Sequence, residues 1–155
     1  MRYGLIDRIV ELDRGKRIVA VRAVTLAEEY LADHFPTFPV LPGVLMLEAL
    51  AESAAWLVRD AQSFVCGVVL LREAKNVTYK NFVRPGEVLR LEVGCRRLER
   101  DESDFEGAGF SQGREVVRAR LGLRHFPVGQ SPWGKTGESA PLVQHLRARF
   151  ALLRG

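Results

Sequence analysis

The chain has little sulfur chemistry to offer. Its two cysteines, Cys66 and Cys95, lie far apart with no metal-type spacing, which argues against a disulfide framework and against a zinc site. No metal and no redox cofactor is expected. Aromatic residues make up only 8% of the sequence and do not interleave with the basic ones as stacking platforms would. The formal net charge of +4 comes from Lys and Arg spread along the chain rather than gathered in one block, so no nucleic-acid partner is expected. The longest apolar run, Pro39 to Leu50, is interrupted by Pro42, Gly43 and Glu48 and is too short to span a bilayer. The opening MRYGLIDRIV carries Arg2, Asp7 and Arg8 and no small-residue cleavage site, unlike a secretory signal. A cytoplasmic protein without a membrane span is the expectation. Internal repeats are also absent.

What is present suffices for one core: 155 residues, 47% of them hydrophobic. Residues 5 to 24 alternate apolar and polar around Asp13-Arg14-Gly15-Lys16, the period-two pattern of a hairpin. Leu26 to Tyr30 could form one helical turn, and His34 to Pro42 holds three prolines in nine residues, which forbids a regular ladder. After Pro42-Gly43 come about seventeen strong helix formers, VLMLEALAESAAWLVRD, apolar on nearly every side. Such a helix needs something wrapped around it. Five further segments, 64–71, 73–82, 87–98, 104–111 and 114–126, read as strands, with turns such as Arg84-Pro85-Gly86-Glu87 between them. The architecture predicted is α+β: one long, curled antiparallel sheet around one central helix.

Beyond Phe126 the composition changes. A domain of residues 1–126 is followed by a tail, 127–155, that opens as a Pro/Gly/Ser-rich connector. It ends in a short amphipathic helix, with Leu142, Leu146, Phe150 and Leu153 on one face and Arg147, Arg149 and Arg154 elsewhere. Gly129 to Thr136 fits a phosphate-loop string, yet no strand with a metal-binding aspartate can follow it and Pro132 removes a backbone donor. Nucleotide binding is not expected there.

The chemistry concentrates between Asp33 and Leu50. Three prolines restrict the loop that carries His34, whose type of side chain titrates nearest neutrality and can accept a proton. Glu48 lies about a turn and a half into the apolar helix, where burial is expected to raise its pKa and keep it protonated as a donor. Gly43 opens that helix, where unpaired amides and the positive dipole end can hold a carbonyl oxygen. Base, acid and carbonyl polariser together suit β-elimination from a thioester. Glu52, one turn beyond Glu48 on the same face, is a possible modulator, because two carboxyls in proximity titrate together. His125 and His145 have no partner motif and read as surface or structural; Trp56 and Met46 read as core or pocket wall.

The segment HFPTFPVLPGVLMLEAL, followed later by Arg84-Pro85-Gly86-Glu87, resembles the signature of the 3-hydroxyacyl-(acyl carrier protein) dehydratases of the FabZ and FabA type, over roughly residues 3 to 126. The resemblance implies a hot-dog fold and dehydration of (3R)-3-hydroxyacyl-ACP to trans-2-enoyl-ACP in fatty-acid, lipid or polyketide synthesis. It implies His34 as base at the alpha carbon, Glu48 as acid at the departing hydroxyl and the Gly43 amide as donor to the thioester oxygen. A homodimer or larger assembly of dimers, with His34 of one subunit meeting Glu48 of the other, is implied too, as is acyl carrier protein as partner. Lys75, Lys80, Arg84, Arg96 and Arg97 are candidates for meeting that acidic partner on charge alone. Asp33, Thr37 and Glu52 replace the Gly, Gly and Gln usual in the family. They keep two alternatives open, a weakly active or non-catalytic hot-dog paralogue that binds acyl chains or pairs with an active subunit, and an acyl thioesterase.

Overall fold

A computed structural model of the chain describes residues 4–27, 39–127 and 139–155. Six strands form one antiparallel sheet: β1 (Arg8–Asp13), β2 (Arg17–Ala23), β3 (Cys66–Tyr79), β4 (Val88–Leu98), β5 (Glu102–Ser111) and β6 (Arg114–Pro127). Their order across the sheet is β1-β2-β4-β5-β6-β3, which leaves β1 and β3 as its two edges. Helix α1 (Gly43–Ala61) packs against β2 to β6, and helix α2 (Ser139–Arg154) touches both edge strands.

The hairpin, the central helix and the antiparallel sheet stand where the sequence puts them. Gly15, at φ +73°, supplies the left-handed residue that closes the β1–β2 turn. Inward-facing Ile18, Ala20, Leu89, Leu91, Val93, Phe105, Val117, Ala119, Leu121 and Leu123 meet Leu50, Ala54 and Leu57 of α1 in one buried core. The two strands expected over 64–71 and 73–82 are instead the single strand β3. Register shifts against β6 at Leu71/Glu73 and Lys75/Thr78 break its alternation without breaking its ladder. Asn76, at φ 53°, lies in the second of these irregularities. The helical turn considered at Leu26–Tyr30 falls largely outside the described residues, and so does the 129–136 string.

The wrapping of α1 is one-sided. Trp56, Leu57 and Val58 are buried, but Val44 is 58% exposed and Glu48 is also exposed. This corrects the expectation of a helix covered on every side: within one chain the sheet takes only one flank. Ser63 (φ 52°) and Phe64 (φ 61°) end the helix in consecutive left-handed conformations. The Phe64 amide donates to the Arg59 carbonyl at 2.7 Å, and the Phe64 ring is buried. Helix α2 then seats Phe150 against Trp56 (centroids 5.8 Å apart) and Phe64 (5.4 Å), with Leu153 buried beneath it.

Candidate active site

The start of α1 is held from behind by the turn that the sequence singles out. Gly86, at φ +90°, lets the chain reverse after Pro85, and its amide donates to the Val24 carbonyl at 2.8 Å. The Ser111 hydroxyl donates to the Glu87 carboxylate at 2.9 Å. Val83, fully buried, accepts from the Leu41 amide at 2.8 Å, which fixes the backbone entering the helix. Pro42 is the N-cap, its carbonyl accepting from Leu45 and Met46. Among the described residues no side chain caps this end, and no acidic residue stands in the first turn. Nothing among the described residues therefore takes up the first amides, beginning at Gly43, which at a helix start have no partner within the helix itself. Glycine is needed here for space, because a Cβ on residue 43 would come within 2.9 Å of the Tyr79 ring. Sequence reasoning did not single out Tyr79; burial raises its pKa, although nearly half of the residue is exposed.

Glu48 follows on the open flank of the helix. Among the described residues the core lies on the opposite side of α1 from it. His34 lies outside the described residues, so the structure relates it to neither Glu48 nor Gly43.

Glu52, one turn beyond Glu48, has the more enclosed carboxyl of the two. Its Oε2 accepts from the Leu5 amide at 2.6 Å. Burial raises its pKa; the Leu5 hydrogen bond, the adjacent Trp56 indole and the positive charges of Arg149 and Arg59 oppose the rise. Arg59 lies over the Trp56 ring at 4.9 Å, and burial pulls its pKa down to about 10 despite the charge of Glu52. Leu5 and Arg149 carry no sequence signal that would link them to Glu52.

The remaining candidates lie elsewhere. His125, fully buried, has Nδ1 3.0 Å from the Arg100 carbonyl and Nε2 2.9 Å from the Ser103 hydroxyl. It is structural, and burial lowers its pKa. His145 is exposed. Cys66 and Cys95 are free thiols, and burial raises the pKa of both. Among the described residues, no group of His, Cys, Asp and Glu could hold a metal ion. No helix among them is long and apolar enough to cross a membrane. Of the basic residues proposed for an acidic partner, Lys80 pairs with Glu115, Arg96 with Glu106 and Arg97 with Asp104. Lys75, Arg96 and Arg97 line an open cavity of about 460 Å³ on the sheet, shared with Arg72, Asp104 and Arg120.

Three comparisons bear on this arrangement. Residues 2–120 match the family model described as a FabA-like domain. The 3-hydroxyacyl-(acyl-carrier-protein) dehydratase FabZ of Chloroflexus aggregans is 40% identical over 119 residues, covering 77% of this chain and 78% of that protein. That of Halalkalibacterium halodurans is 36% identical over 119 residues, covering 77% of this chain and 85% of its own. Among solved structures, the dehydratase heterocomplex ApeI:P from Xenorhabdus doucetiae superposes with a TM-score of 0.64 at 18% identity, covering 79% of this chain and 82% of that one. A hypothetical thioesterase from Streptococcus pneumoniae gives 0.60 at 15% identity, over 77% and 90% of the two chains. At those identities the likeness is one of fold: the curled sheet around a helix is the hot-dog fold.

Proposed function

Because the chain belongs to the FabA-like family, we propose that it dehydrates 3-hydroxyacyl thioesters carried on acyl carrier protein, with His34, Glu48 and the Gly43 amide as its working groups. The observation that carries this reading is the placement of Glu48 on the uncovered flank of α1, just beyond the helix start that Gly43 opens. In the reaction His34 removes a proton from the alpha carbon. The freed electron pair forms the alpha–beta double bond as the bond to the beta hydroxyl breaks, and Glu48 protonates the leaving oxygen, which departs as water. The Gly43 amide and the helix dipole stabilise the negative charge that gathers on the thioester oxygen meanwhile. Proton exchange then returns His34 and Glu48 to their starting forms.

The described part of a single chain leaves this acid exposed, and the reading includes a second copy. A homodimer, alone or within a larger assembly, covers the open flank and brings His34 of one subunit to Glu48 of the other. Two features support it. Strand β3 is a fourteen-residue sheet edge whose outer side pairs with nothing among the described residues, an arrangement that invites another strand. Val44 and Leu71, 58% and 40% exposed, give the open flank and that edge apolar surface to bury. Cytoplasmic residence and an acidic carrier protein as partner belong to the same reading.

The test is to incubate the purified protein with 3-hydroxybutyryl-ACP and longer 3-hydroxyacyl-ACPs and follow the acyl carrier by mass. Loss of one water, giving enoyl-ACP, is the expected result. Release of free acid without enoyl product would replace the dehydratase with a thioesterase. Acyl-ACP bound and returned unchanged would make the chain a non-catalytic relative, the alternative that Glu52 and the neighbours of His34 keep open.

A further inference from the structure

Glu52 stands where three separated parts of the chain meet. Its carboxylate accepts from the Leu5 amide of the N-terminal segment. The preceding residue, Gly4, lies under the guanidinium of Arg149 from α2, where a Cβ on residue 4 would collide with it. Gly4 also accepts, through its carbonyl, from Arg22 of β2 at 3.4 Å. Arg149 is partly buried because α2 is anchored on both sides of it. Arg147 donates to the Ser63 carbonyl at 3.0 Å and stacks over Phe64, while Phe150 stacks on Trp56. Helix α2 lies beyond the residues that match the family model.

From this juxtaposition we propose that Arg149 is a positioning residue of the helix that carries the acid. It holds Glu52 as a carboxylate acceptor for the Leu5 amide, so that Glu52 anchors the N-terminal segment to α1 and does not serve as a second acid beside Glu48. The inference rests on the dehydratase reading only in giving Glu48 its role. The groups set against Glu52 are the Leu5 amide, Arg149 from α2, and Arg59 and Trp56 of its own helix, with Glu48 one turn earlier in the sequence of that helix. Burial alone would push a proton onto Glu52, and a proton would weaken it as an acceptor for Leu5. The cationic neighbours limit that rise, and Arg149 is the one delivered by a separate helix. Replacing Arg149 therefore lets Glu52 protonate at higher pH and loosens the segment leading into β1.

The experiment compares wild type, R149Q, R149K, E52Q and R149Q/E52Q as full-length chains, by melting temperature at about pH 7.5 and about pH 4 and by the pH profile of kcat/KM. R149Q is expected to lose about 3 °C near pH 7.5 and little near pH 4, where the carboxyl is already neutral. R149K should regain most of the loss, and R149Q should add almost nothing to E52Q. The kcat/KM profile of R149Q should show an additional ionisation that R149Q/E52Q lacks. An equal melting loss at both pH values and in both backgrounds would overturn the proposal and reduce Arg149 to packing on Gly4. Were the wild type inert toward hydroxyacyl-ACP, the dehydratase reading would fail while the melting cycle still decided this one.

Discussion

The Tyr79 ring rests against Gly43 so closely that no side chain fits between them. A residue of β3 thereby sets the clearance at the first turn of α1, where the donor amides are. Gly43→Ala is expected to push either the ring or the helix start aside, at a cost of about 1 kcal/mol in stability. The larger effect should fall on kcat/KM, with a loss of roughly tenfold as the amide shifts from the thioester oxygen. Adding Tyr79→Ala removes the obstacle and should restore part of that loss. A double variant no better than Gly43→Ala, in steady-state assays on hydroxyacyl-ACP, would break the link between the two residues.

His34→Ala and Glu48→Gln each remove one proton-transfer group from the proposed chemistry. General acid–base groups contribute roughly 100- to 10,000-fold, so each variant should lower kcat by at least about 100-fold. Glu48 is exposed on its own chain and outside the core, so Glu48→Gln should melt within about 2 °C of wild type. Single-turnover formation of enoyl-ACP, read by mass, checks both. Wild-type rates in either variant would remove that residue from the mechanism.

His125 makes a prediction about acid stability. Its Nδ1 faces a carbonyl, which can only accept, so Nδ1 carries the proton and Nε2 accepts from the Ser103 hydroxyl. Burial lowers its pKa below the ordinary 6.5, against the Arg100 carbonyl, Asp101 and Glu102, which favour the charged ring. Between that lowered value and 6.5 the unfolded chain binds more protons than the folded one, so the stabilisation is complete above pH 6.5 and is lost as pH falls below it. His125→Gln should cost roughly 1–3 kcal/mol at neutral pH through disrupted buried hydrogen bonds. It should also flatten the fall in stability between about pH 6.5 and pH 5, measured by urea unfolding. An unchanged slope would show that other groups govern acid sensitivity.

Most of the scaffold was legible in the sequence because its signals are local. Alternation around Gly15 specified the first hairpin, and the run from Val44 to Asp60 specified the central helix. The Arg84–Glu87 turn was read correctly from Pro85-Gly86 and proved to brace the helix start. What was misread depended on tertiary context. The helix looked enclosed because its composition is apolar, yet Val44 and Glu48 face away from the sheet, and composition does not say whether a chain's own strands or a second copy will cover a face. The two strands expected across residues 64–82 are one, since a bulge breaks the period of side chains while leaving the ladder intact. The Glu52–Leu5 hydrogen bond joins residues forty-seven positions apart and leaves no periodic trace. Likewise the sequence set Arg149 only off the apolar face of the tail helix, and the packing of α2 on both sheet edges brings it over Gly4.

Whether each site is shared between subunits can be decided with two inactive proteins. If His34 from one subunit works with Glu48 from the other, a heterodimer of His34→Ala and Glu48→Gln chains holds one site with both residues damaged and one with both intact. Random exchange makes about half of the dimers mixed, so unfolding and refolding an equimolar mixture should recover about a quarter of wild-type activity. If His34 and Glu48 of the same chain form the site, every site in the mixture keeps a damaged residue and no activity returns. Exchange must be verified independently, by native mass spectrometry of isotopically labelled and unlabelled chains. Recovery near a quarter then gives Glu48 its burial and its base from the neighbouring subunit. No recovery despite full exchange would mean that His34 folds back over α1 of its own chain, and that β3 pairing, if it occurs, serves stability alone.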